Sequence, residues 1–392
     1  DLSHDFLIDA FVAEPHLEVL HDPLVDDARS AQSPAQLAVV LEAVAGASRG
    51  AARARWLREA AEAHAQASPH DPIEGYDTWA AELLVRALAA DPGSRDTLTA
   101  LEGEAERAGH AYLLLDGLER AGKAHPAEGD APDDDEARAA RAELLDRATR
   151  LAEESGQLER AASCREQALA LRRRSSADAD LARLRALATK RSALLDIARR
   201  DLETAPAGER EALAMRLGLL LRDVPSGRAE AIACFRIGLA GPAQHHAQAF
   251  SALVRALRVA QRHDECAELL LQAPKYVGEA TAALALSDAA GMLALANDPL
   301  GCASAALRAL ELDPSARVAS ARLDLAARQV GDPDLRLQAL RARLAQTPEA
   351  AEAARLQGQV ALVADAAGSP DVALAAARDA LALDPRCADA LL

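Results

Sequence analysis

Proline punctuation constrains this chain more than any other feature. Asp298-Pro299, Asp313-Pro314, Asp332-Pro333, Thr347-Pro348, Ser369-Pro370 and Asp384-Pro385 follow one another at proline spacings of 15, 19, 15, 22 and 15 residues. A short polar residue that can cap, followed by a proline whose missing N–H costs nothing in a first turn, marks a helix start. Fifteen residues hold about three helical turns and a tight turn. One pair of blocks spans 34 residues, the period of a helix-turn-helix repeat. Pro206, Pro225 and Pro242 continue a looser version upstream. Antiparallel pairs are therefore expected to turn near Asn297, Gly331 and Gly368, with Asp298, Asp332 and Ser369 capping the helices that follow.

The segments between these marks carry helical periodicity. Phe250, Leu253, Val254 and Leu257 recur at i, i+3, i+4, i+7, and Leu213, Leu217, Leu220 and Leu221 at i, i+4, i+7, i+8. Strand-forming aromatics are scarce: Trp 2, Tyr 3 and Phe 4. A single helix pair cannot bury its stripe alone, so the pairs must stack. The expected fold is all-α, an α-solenoid or superhelix of antiparallel helix-turn-helix repeats. Residues 1–124 read as an irregular helical segment, with helices at 77–90 and at 95–107 and a cap candidate at Gly109. Residues 125–136, HPAEGDAPDDDE, read as an acidic loop, and 137–392 as the regular array.

The closes Leu310-Glu311-Leu312-Asp313-Pro314, Leu381-Ala382-Leu383-Asp384-Pro385 and Leu88-Ala89-Ala90-Asp91-Pro92 resemble those of the tetratricopeptide-repeat (TPR) family. On that alignment Cys302, Ala306, Ala309, Ala373, Ala377 and Ala380 fall in the small slots of second helices. Ala161 and Ala168 do the same, with Gly156 at a turn. The family's usual first-helix Trp, Gly and Tyr are largely replaced, by Leu286, Ala290 and Leu293 in one repeat and by Gln357, Ala361 and Ala364 in another. The resemblance implies a superhelix whose first helices line a groove that binds peptides or protein segments. It places Ser287, Gly291, Ala294, Ala321, Leu325, Arg328, Gly358, Leu362 and Asp365 on the groove wall. These residues are small, apolar and sparsely charged, so an apolar helix or extended segment suits them. The Lys and Asn with which some family members clamp a C-terminal carboxylate have no counterpart at Ser287, Gly291, Ala321, Leu325, Gly358 or Leu362.

Residues 117–124, GLERAGKA, nearly spell a phosphate loop, but Ala124 replaces the magnesium-binding hydroxyl and the approach reads as helix. His245, His246, His263 and Cys266 form a His/Cys cluster without the three or four converging ligands of a metal site, so a packed thiol and exposed imidazoles are expected. Cys164, Cys234, Cys266, Cys302 and Cys387 are widely spaced and odd in number, which fits free thiols better than a disulfide framework. No nucleophile–base pairing stands out. The expectation is therefore no enzyme, no cofactor and no metal.

Net charge is −17, which argues against general affinity for polyanions. Locally the sign reverses over 165–200, where Arg172, Arg173, Arg174, Arg183, Arg185, Lys190 and Arg191 make a basic patch. It could dock a phosphorylated partner or nucleic acid, although it lacks the interleaved aromatics that stack bases, and a solvated helix face is the favoured reading. The leading function is a protein-interaction scaffold. The alternatives are a regulatory array of a larger enzyme or signalling protein, and binding through the basic patch. The first 27 residues carry eight carboxylates and no Lys or Arg, the reverse of a secretory leader, so cytoplasm is the default compartment. No apolar run is long enough to span a bilayer. The start at Asp1 and the end in mid-pattern read as those of an excised piece.

Overall fold

The computed structural model describes residues 2–30, 33–67, 79–108, 111–124, 135–172, 178–206, 209–347, 349–387 and 390. Helices α1 (Leu2–Ala13), α2 (His21–Ser30), α3 (Pro34–Ala47) and α4 (Gly50–Ala67) come first. They are followed by α5 (Trp79–Ala90), α6 (Arg95–Arg107), α7 (Ala111–Lys123), α8 (Asp135–Glu154), α9 (Leu158–Leu171) and α10 (Ala179–Thr204). Next come α11 (Arg210–Leu221), α12 (Arg228–Ala240), α13 (His246–Val259), α14 (His263–Leu271) and α15 (Glu279–Leu295). The last five are α16 (Pro299–Leu312), α17 (Arg317–Val330), α18 (Pro333–Gln346), α19 (Ala350–Ala366) and α20 (Pro370–Leu383). The described residues contain no strand, and the fold is all-α, of the α-solenoid class.

The hairpin turns share one chemistry. Asn297, Gly331 and Gly368 adopt left-handed φ values of 58°, 73° and 72°, as do Gly156 and Gln261. The next N–H in each case reaches back to a carbonyl five residues earlier: Asp298 to Leu293, Asp332 to Ala327, Ser369 to Ala364, Gln157 to Ala152 and Arg262 to Leu257. This closure satisfies carbonyls that a helix end leaves open. Asp298 then caps α16 by accepting from the Gly301 N–H, and Asp332 caps α18 by accepting from Leu335. Ser369 makes no side-chain cap, contrary to expectation.

Only half of the proline steps begin helices. Pro299, Pro333 and Pro370 sit at helix starts, whereas Asp313 and Asp384 are the C-terminal caps of α16 and α20. There the residue before proline is pushed to extended geometry, which ends the helix, and Asp313 folds back onto the N–H of Ser315. Thr347 likewise closes α18, and Glu349 stands before α19. Helix α6 ends on right-handed Ala108, and Gly109 lies outside the described residues, as does 125–134 of the acidic segment.

Two compact units interleave along the chain. Unit 1 comprises 1–48, 59–70 and 278–392, and unit 2 comprises 49–58 and 71–277. In unit 1 the hairpins α15/α16, α17/α18 and α19/α20 stack in order, and α3 packs on α15 and α17. Leu340, Leu356, Val360 and Val363 form the core where α18, α19 and α20 meet. In unit 2 consecutive helices from α5 to α14 pack on one another. The small-slot residues Ala161, Ala168, Cys302, Ala306, Ala309, Ala373 and Ala380 are buried, and Ala377 is half-buried.

Candidate partner-binding groove

Ser287, Gly291 and Ala294 stand on α15, Ala321, Leu325 and Arg328 on α17, and Gly358, Leu362 and Asp365 on α19, the first helices of three successive hairpins. At α17 the wall is covered by the chain itself. Ala35 and Val39 of α3 meet Val318 and Ala321, with Ala67 and Leu325 packed against the same cluster. Polar contacts fix the helix on either side of this apolar patch. Arg322 donates through Nη2 to Oε1 of Glu42 at 2.7 Å and through Nη1 to the Ser287 carbonyl at 2.5 Å. His64 Nε2 lies 2.6 Å from the same Glu42 oxygen. Toward the start of α3, Arg343 donates to Oε1 of Gln36 at 2.8 Å and to Asp324 at 3.0 Å. Arg328 donates to Asp9 of α1 at 2.9 Å.

Exposure divides the nine residues expected on the wall. Gly291, Ala321, Arg328 and Gly358 are buried, Ser287, Leu325 and Leu362 half-buried, and Ala294 and Asp365 exposed. The contacts of α3 run along α15 and α17, while Gly358, Leu362 and Asp365 belong to the next hairpin. Burial alone would raise the carboxyl of Glu42, but the charges of Arg322 and His64 beside it outweigh that and hold it at about 2.

Glu42, His64, Gln36, Arg322, Asp324 and Arg343 escaped the sequence reading because a charged residue in a helix normally faces water. One signal was present. Helix α3 and helix α15 are apolar on nearly every side, the pattern of a helix covered all round rather than on one stripe.

The basic patch lies on the end of α9 and on α10, in unit 2. Arg172 pairs with Asp146, Arg183 with Glu153 and Asp180, and Arg185 with Glu166. Arg165 is shared between Asp146 and Asp178. Arg173 and Arg174 lie outside the described residues, as do the side chains of Lys190 and Arg191.

The phosphate-loop lookalike is the second half of the continuous helix α7 and the residue after it. Its glycines serve close packing: a Cβ on Gly117 would stand 2.7 Å from Leu101 Cδ2, and one on Gly122 2.6 Å from Leu145 Cγ. Lys123 pairs with Glu119 one turn back. His263 begins α14 and is half-buried rather than exposed, with Nδ1 3.4 Å from Nη2 of Arg86. Cys266 is a buried thiol against the Val254 carbonyl. All five cysteines are buried, and none forms a disulfide. Among the described residues no group of three His, Cys, Asp or Glu side chains could hold a metal ion. None of the helices described is long and apolar enough to cross a membrane.

No family model and no curated protein matches the chain. Among solved structures it is similar to YrrB, a TPR protein with an unusual peptide-binding site. The identity is 17%, over 50% of this chain and 95% of that one, with a TM-score of 0.28. It is also similar to a chain of the APC/C hetero-tetramer Cut9-Hcn1, at 13% identity over 94% of this chain and 87% of that one, with a TM-score of 0.22.

Proposed function

We propose that the chain is a non-catalytic protein-interaction scaffold whose unit 1 groove takes an apolar helix of a partner. One observation supports this above all: α3 already lies on Ala321 and Leu325 through Ala35 and Val39, so the wall accommodates a helix by shape and apolar burial. A partner helix would dock beside α3 along Gly358 and Leu362, or would replace α3 on α17. Binding of either kind is driven by apolar area and should respond weakly to salt. Partner binding through the basic patch is the weaker reading, since Arg165, Arg172, Arg183 and Arg185 are each engaged by carboxylates of the chain itself.

The test uses a synthetic peptide with the sequence of residues 33–47. Val39→Asp should loosen α3, and the variant should then bind the peptide, with binding lost on adding Leu325→Asp. A captured natural partner should be lost with Leu362→Asp and kept with the double variant Arg183→Glu, Arg185→Glu. If only the charge-reversal variant loses the partner, the groove is not its site.

A further inference from the structure

In unit 2, α8 pairs with α9 and α11 with α12, and α10 between them packs on α9 and α11. The apolar residues of α10 fall on two opposite sides. Leu181, Leu184 and Leu195 are buried on one. On the other, Leu187, Leu194 and Ile197 recur at i, i+7 and i+10 and are 37%, 63% and 53% exposed. The same heptad spacing puts Asp180, Arg183, Asp201 and Thr204 in that row, and all four are exposed. Lys190 holds the remaining position of the row in sequence. Apolar residues scattered singly over a surface need no partner, but a heptad row with an apolar middle has the pattern of a seam between helices.

Opposite charges stand on either side of that middle. Asp201 has no partner among the described residues. Arg183 donates to both oxygens of Glu153, at 2.6 and 3.0 Å, while its Nε stands 3.8 Å from Asp180, too far for a hydrogen bond. Arg183 can therefore receive a second carboxylate from outside without giving up Glu153.

We propose that this row is a contact surface for a second copy of the chain, the two copies meeting as an antiparallel pair of α10 helices. The row is self-complementary in that direction. The register that sets Leu187 against Ile197 of the second copy also sets Arg183 against Asp201 of the second copy, and the two-fold repeats both contacts. Leu194 then lies beside the two-fold axis. Sliding one copy by a heptad would set Leu187 against Thr204, or Ile197 against Asp180. A parallel pair would set Arg183 against Arg183 and Asp201 against Asp201, so like charges would face on both sides of the apolar middle. Leu187, Leu194 and Ile197 from each copy make a short seam, so the pairing depends on protein concentration.

The experiment measures the mass of the full chain by sedimentation equilibrium over a wide range of protein concentration. The mass should rise from that of one chain to that of two and stop there, because a two-fold contact closes on itself. Leu194→Glu puts two carboxylates beside the axis and should hold the protein at the mass of one chain. Its melting temperature in dilute solution should not change, since Leu194 is exposed. Asp201→Arg sets guanidinium groups against each other on both sides of the middle and should weaken association about fivefold or more. It breaks no ion pair among the described residues. Cysteine pairing reads the direction, and the five native cysteines are buried. Chains with Leu187→Cys mixed with chains with Ile197→Cys should, on mild oxidation, join to each other in preference to like with like. The mass of one chain at every concentration, a dimer that survives Leu194→Glu, or Leu187→Cys chains joining to each other would each overturn the proposal.

Discussion

Glu42 of α3 and Arg322 of α17 are 280 positions apart in the chain and joined by two hydrogen bonds, 2.7 and 3.2 Å long, in the interior of unit 1. Arg322 is 2% exposed and also holds the Ser287 carbonyl of α15. Glu42→Gln should cost about 3–5 kcal/mol of unfolding free energy, because it leaves a buried guanidinium without its counter-charge. Glu42→Leu with Arg322→Met removes both charges and should recover most of that loss. Urea midpoints decide it, and an unchanged midpoint for Glu42→Gln would show that the pair holds nothing in place.

Acid should unfold the protein over a defined window. Glu42 is held at about 2 against its burial by Arg322 and His64, and Glu119 at about 2 against its burial by Arg160, Arg228 and Lys123, while the ordinary value is 4.5. A carboxylate whose folded pKa is depressed stabilises fully above its unfolded value and loses that contribution as pH falls toward the folded one. The contribution of these two carboxylates to the melting temperature should therefore be level above about pH 5 and drop steeply from there toward about 2. A flat profile through this range would contradict the buried pairs.

His263 adds a shallower step at higher pH. Burial first, then Arg86 and Arg120, lower its imidazole from 6.5 to about 4, against the opposing charges of Glu82 and Asp264. The unfolded imidazole binds a proton there that the folded one does not, so the contribution is complete above 6.5 and is lost as pH falls to 4. His263→Asn should flatten the pH dependence of melting in that interval and leave the steeper acid limb in place.

Glycines inside helices should respond in opposite directions. Gly122→Ala drives a methyl into Leu145 and should destabilise by about 1–3 kcal/mol, the usual cost of overpacking. Gly103 is exposed in α6 with open space beside its Cβ position, so Gly103→Ala should stabilise by about 0.5–1 kcal/mol. Thermal denaturation of the two variants side by side checks both.

The thiols should be silent in the native protein. Burial pushes Cys164 and Cys302 up to about 12 and Cys234 to about 11, and Cys266 and Cys387 are buried too. An aromatic disulfide reagent should titrate close to none of the five at neutral pH and all five in denaturant. Rapid reaction of a native thiol would place that cysteine at the surface.

The sequence by itself determined the local structure. Pro299, Pro333 and Pro370 start helices, and Asn297, Gly331 and Gly368 turn the chain, because φ preference, a missing N–H and a short capping side chain act within a few residues. Small residues such as Ala161 and Ala306, placed by the resemblance to the repeat family, are buried. Tertiary structure alone decided what covers the array. Glu42 and Arg322, or Asp116 and Arg255, read in sequence as charges on a helix face; the all-round apolar character of α3 hints that Glu42 is covered, but nothing within a helical turn names its partner. Their pairing across 280 and 139 positions depends on which faces meet once the hairpins have stacked. Each side chain's chemistry is local, but its partner is set by the path of the whole chain.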